Sequence, residues 1–164
     1  MKAIEFGTLY DRHARDVFRF AVYLTGNRAE AEDLTSEAFV RAWAGAGAIR
    51  VGTVKAYLLT IVRNLHLDAR RADARRGDWP ADVADPAAGP ARAAETRDEL
   101  ARVLAGLQQL PEVDRAALLM RSVEELSYEE IARALNLSAV AVRVRVHRAR
   151  VRLAEVRGLT GVNA

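Results

Sequence analysis

Apolar positions in the first part of the chain recur at helical spacing. Phe6, Tyr10, Val17, Ala21 and Leu24 fall on one face, and Gly26 closes the run. Asn27 offers an N-cap with Glu30 as its capping-box partner, which predicts a second helix from Arg28 to about Ala44. The small, glycine-containing segment 45–52 reads as a loop. Thr53 caps a third helix running to about Arg71, with Leu58, Ile61, Val62 and Leu65 as its apolar face. The stretch 77–92, GDWPADVADPAAGPAR, carries three prolines and no apolar periodicity, so it reads as a flexible linker. Beyond it, Leu100, Val103, Leu104 and Leu107 make an amphipathic helix. Pro111 starts the next at its first turn, with Ala116, Leu119 and Met120 as apolar positions. Ser127 and Glu130 form a capping box for a short helix, Tyr128–Leu135, and Asn136–Leu137 is a turn. Ser138 caps a long last helix. There Val140, Val142, Val144 and Val146 alternate with arginines as in a strand, yet Val142, Val146, Ala149 and Leu153 follow helical spacing. The helix is favoured, and Val140 and Val144 then sit on a face away from the core.

These elements predict an all-α fold of two small helical domains, 1–76 and 93–164, joined by the flexible linker 77–92, the C-terminal domain containing a helix-turn-helix. Composition agrees: 32 alanines and 23 arginines among 164 residues favour helices, and 51% hydrophobic residues suffice for a core. There is no cysteine, which excludes disulfides and thiol chemistry. His13, His66 and His147 lack metal-ligand spacing. No uncharged stretch exceeds nine residues, so no membrane-spanning helix is expected; with a charged N-terminal segment, the expected location is the cytoplasm.

The arginine excess alone has a bland explanation, GC-rich codons, but its placement is uneven. Residues 1–76 carry net +4, residues 93–137 net −4, and residues 138–164 net +5. A basic second helix after a short turn makes a helix-turn-helix, since a major groove admits one helix whose guanidinium groups bond phosphates or pair with guanine edges. Arg143, His147 and Arg150 share one face, and Arg145, Arg148 and Arg152 a neighbouring one. Read from residues alone, the chain is two helical blocks, one of them a DNA reader. A free-standing helix-turn-helix regulator remains an alternative. Catalysis is not expected: Ser127 and Ser138 serve as caps, and no serine–histidine–acid arrangement or phosphate-binding glycine loop is present.

The C-terminal run LPEVDRAALLMRSVEELSYEEIARALNLSAVAVRVRVHRAR resembles region 4 of the extracytoplasmic-function sigma factors of bacterial RNA polymerase. LYDRHARDVFRFAVYLTGNRAEAEDLTSEAFVRAW, followed by AYLLTIVRNLHLDARR, resembles region 2 of the same family. The resemblance implies a non-enzymatic initiation factor, without cofactor or metal, that binds core polymerase and recognises −10 and −35 promoter elements. It places the second helix on the β′ clamp coiled coil through Asp33, Leu34, Glu37, Phe39 and Arg41, with region 4 toward the β flap. Glu30 and Glu32 are assigned to the helix dipole, and Trp43 to the core. For the −10 element it implies Asn64 at a base pocket, with Arg63, Arg70 and Arg71 along the phosphates. For the −35 element it implies Ser138, Arg143, Val144, Arg145, His147 and Arg148. Two family features are replaced: Val140 stands for a glycine and Val144 for a serine. The segment Ala44–Gly52 lacks the family's aromatic, so it implies no −10 base preference. An anti-sigma protein, often membrane-anchored, is a further implied partner.

Overall fold

Four polar side chains start helices where expected. Asn27 Oδ1 accepts from the Glu30 amide at 3.0 Å, Thr53 Oγ1 from Ala56 at 3.1 Å, Ser127 Oγ from Glu130 at 3.1 Å and Ser138 Oγ from Ala141 at 3.1 Å. The computed structural model describes residues 3–45, 53–77 and 94–156. They form α1 (Ala3–Thr25), α2 (Arg28–Ala44), α3 (Val54–Arg76), α4 (Ala94–Gln108), α5 (Glu112–Ser122), α6 (Tyr128–Leu135) and α7 (Ala139–Val156). No strand occurs among the described residues. The expected linker, apart from Gly77, and most of the expected loop before α3 lie outside them.

Three local expectations change. α3 continues past Arg71 to Arg76 and ends on Gly77 in the left-handed region, φ 73°. Pro111 occupies the cap position and α5 begins at Glu112. The Glu30 carboxylate turns to α3, where Oε1 lies 3.0 Å from His66 Nδ1, rather than back to its own cap. Asn136, at φ 56° and ψ 49°, makes the left-handed residue that ends α6 and aims α7 across it.

α1, α2 and α3 pack around Val17, Phe20, Leu24, Ala38, Phe39, Leu58 and Val62, all buried. In the second block Leu107, Met120 and Ile131 share a core with Val142, Val146 and Ala149, the helical face predicted for α7. The two blocks also pack on each other, α4 and α5 against α1, and α6 against α3. One continuous core results. Double coverage explains why α5 is buried throughout 114–120 and why adjacent Leu58 and Leu59 are both at 0% exposure, where periodicity indicates a single apolar face.

Polar groups close this junction. Arg115 donates from Nε to Leu107 O (2.9 Å), from Nη2 to Leu110 O (3.0 Å) and from Nη1 to Leu24 O (2.7 Å). One guanidinium thus satisfies carbonyls at the C-terminal ends of both α1 and α4, groups that a helix leaves without internal partners. Gln108 Nε2 adds bonds to Tyr23 O and Leu24 O, both 3.3 Å. Gly26, φ 68°, lies beneath that side chain, where an added Cβ meets it at 3.1 Å. On the other side the buried Glu124 carboxylate receives Arg19, with Lys55 Nζ 3.5 Å away.

Candidate nucleic-acid interface and partner surface

α7 has three kinds of side chain at three angular positions. Val142, Val146 and Ala149 hold it to α5 and α6. Arg145 is turned toward the core edge, its Nη1 donating to Oδ1 of the buried Asp114 at 2.9 Å. The outward face presents Arg143, Val144, His147, Arg148, Val151 and Arg152 along an open trough. Of the expected −35 residues, Arg143, Val144, His147 and Arg148 are exposed and contiguous. Ser138 is exposed but engaged as the cap, and Arg145 is committed to Asp114. Tyr128 supports this face from α6: the guanidinium carbons of Arg121 and Arg143 lie 4.5 and 5.0 Å from its ring centroid.

α2 divides the same way. Asp33, Glu37 and Arg41 are exposed, with Arg41 Nε donating to Glu37 Oε1 at 3.0 Å. Leu34 and Phe39 are buried in the core, Phe39 against the Tyr10 ring at 4.9 Å, and neither offers surface to a partner here. The exposed apolar side chains beside the acidic positions are Val40, 58% exposed, and Tyr10 at the α1 edge. Sequence reasoning missed both; Val40 lies on the helical line of Asp33 and Glu37, and that spacing was the available signal. Trp43 is half-buried, edge-on to Phe6 at 5.0 Å.

On α3 the expected −10 residues separate. Asn64 and Arg71 are exposed, Arg71 bonded to Asp68 at 3.1 Å. Arg70 is half-buried, 3.9 Å from Glu30. Arg63 is buried in the block junction and grips Glu112 of α5 with two bonds, 2.7 and 2.8 Å. His66, 2% exposed, pairs with Glu30. Burial opposes ionisation of Glu30, but the hydrogen bond and charge of His66, with Arg70, outweigh it and hold the carboxyl below its ordinary 4.5. Burial, with Arg12 nearby, pushes the His13 pKa down. No cluster of three or more histidine or acidic side chains among the described residues is arranged to hold a metal ion.

These features match known proteins in order and extent. Residues 9–76 match the model of sigma-70 region 2, and residues 100–153 that of sigma-70, region 4. The chain is similar to the ECF RNA polymerase sigma factor SigE of Mycolicibacterium smegmatis, 38% identical over 88% of this chain and 58% of that protein. It therefore spans somewhat over half the length of that relative. It is also similar to the RNA polymerase sigma factor CarQ of Myxococcus xanthus, 35% identical over 93% of this chain and 89% of the other. Among solved structures, the sigma factor RpoE of Bartonella quintana, in complex with the anti-sigma factor NepR, superimposes with a TM-score of 0.82. It is 26% identical and the match covers 95% of this chain and 98% of that one. CnrH, in complex with the cytosolic domain of CnrY, gives a TM-score of 0.71 at 25% identity, over 98% of this chain and 92% of that one. Two matched sigma regions in the family's order, near relatives aligned over most of both lengths, and a basic helix-turn-helix behind an acidic-faced helix lead to one conclusion: the chain belongs to the extracytoplasmic-function sigma factors of RNA polymerase.

Proposed function

We propose that this chain binds core RNA polymerase through the outer face of α2 and directs initiation at promoters whose −35 element is held by α7 and whose −10 element by α3 with the segment before it. The carrying observation is α7, whose core face is filled by Val142, Val146 and Ala149 while Arg143, His147 and Arg148 face outward. On α2, Asp33, Glu37 and Arg41 with Val40 form the polymerase-facing set. Carboxylates there give register against a basic helical partner, and the valine adds apolar burial. Asn64 and the arginines of α3 serve single-stranded DNA, where cations track phosphates and a polar pocket receives a base.

The working units are 1–76 and 93–164, tethered by 77–92, and simultaneous engagement of two promoter elements draws its affinity from that tether. Arg63 reaches DNA only when its bond to Glu112 opens, so promoter engagement requires the blocks to part. An anti-sigma protein is a further partner; the complex of the similar sigma factor RpoE with the anti-sigma factor NepR supports this. The chain acts by binding rather than catalysis, and works in the cytoplasm, where polymerase and chromosome are; no described helix is long and apolar enough to cross a membrane. A gel shift with and without purified core polymerase tests the reading. Promoter-selective binding with core enzyme, and weak, salt-sensitive, non-selective binding without it, is expected. Tight, selective binding by the isolated chain would overturn it.

A further inference from the structure

The outward face of α7 carries valines that the fold does not use. Val140 is 67% exposed, Val144 48% and Val151 46%. With His147 they form a single stripe, at successive spacings of four, three and four residues, opposite the core face. A β-branched residue is a poor choice for an exposed helix position, since it loses rotamer freedom and leaves methyl groups in water. Arginines flank the stripe on both sides: Arg143 and Arg150 along one edge, Arg148 and Arg152 along the other, all exposed. A helix lying in a major groove has this requirement. Its central line meets base edges, and its two shoulders meet the two phosphate walls. The base-edge group that an aliphatic side chain recognises is the C5-methyl of thymine.

We infer that Val140 and Val144 read thymine methyl groups in the −35 element, while the four flanking arginines hold the opposing backbones. This rests on α7 being the −35 helix. The N-terminal half of a recognition helix makes the base contacts, which selects Val140 and Val144. Val151, two turns further on, lies past the bases and serves as a control. The contact is one of shape and water exclusion, so it selects thymine over cytosine and also over uracil, which pairs identically and lacks only the methyl.

The test uses holoenzyme assembled from the full chain and core polymerase. Its preferred −35 sequence is selected from randomised DNA, and each thymine there is replaced by deoxyuridine. At contacted positions the affinity falls about fourfold per methyl removed. Val144→Ser binds the thymine and uracil versions of its position equally, and Val151→Ser keeps the full uracil penalty. Both sites are solvent-facing, and circular dichroism melts check that the variants are folded. A selected element without thymine, indifference of the unmodified protein to uracil, or an undiminished uracil penalty in a Val140→Ser/Val144→Ser variant each overturns the inference, leaving the −35 assignment standing. A holoenzyme that selects no promoter at all overturns that assignment and the inference together.

Discussion

Arg145 and Arg148 are three residues apart on α7, yet the fold gives them different work. Arg145 bonds Asp114, whose side chain is 1% exposed, while Arg148 faces solvent. Replacing Arg145 with alanine leaves a buried carboxylate without its cation. Arg145 is itself one-third exposed, so we expect a loss of about 1–2 kcal/mol in denaturant unfolding. Replacing Arg148 leaves unfolding unchanged but lowers the salt slope of holoenzyme–promoter binding by about one. Sequence spacing put both on the DNA side, because a partner 31 positions upstream does not show in the periodicity of α7. Glu30 is a second case, read as a cap and dipole partner and found on His66. Its folded pKa is depressed, so its contribution to stability is complete above the ordinary value of 4.5 and is lost as pH falls through the lower folded value. A stability–pH profile will show that acid limb, and Glu30→Gln will flatten it.

Caps and turns were the most legible elements. Asn27, Thr53, Ser127 and Ser138 each form their bond to the third residue on, because that bond depends on local chain geometry alone. Ser138→Ala is therefore expected to cost about 1 kcal/mol, read from urea unfolding, and to fray the N-terminal turn of α7 that carries Val140 and Arg143. Burial was legible where a helix has one covered face, as for Val142, Val146 and Ala149. It was not where a helix is covered twice. α5 reads as amphipathic with Ala116, Leu119 and Met120 inside, yet Ala117 and Leu118 are buried as well because α1 lies on its other side. The same difficulty touches Leu34 and Phe39 on α2, expected to meet polymerase and found buried: a family motif names the helix that meets a partner, but only packing tells which of its apolar residues are left outside.

At the scale of the molecule, the polar junction between the blocks was invisible in sequence, since Arg63–Glu112 and Arg115–Leu24 join residues 49 and 91 positions apart. These bonds hold the blocks together with Arg63 inside. Glu112→Arg sets two cations face to face, and small-angle scattering should show the radius of gyration rising above the roughly 15 Å of a compact chain of this length. An unchanged radius would mean that the remaining contacts, Arg115 on Leu24, Arg19 on Glu124 and the apolar core, hold the junction without Arg63–Glu112. We propose that two tethered helical units serve one polymerase, one by docking on it and both by gripping a divided promoter. The decisive measurement is run-off transcription by purified core polymerase from a promoter library. Adding the intact chain should yield transcripts from a discrete promoter set. Asp33→Lys/Glu37→Lys should abolish them all, and Arg143→Ala should weaken them. Transcripts no different from those of core enzyme alone, with the chain folded and present in excess, would show that the chain is no initiation factor.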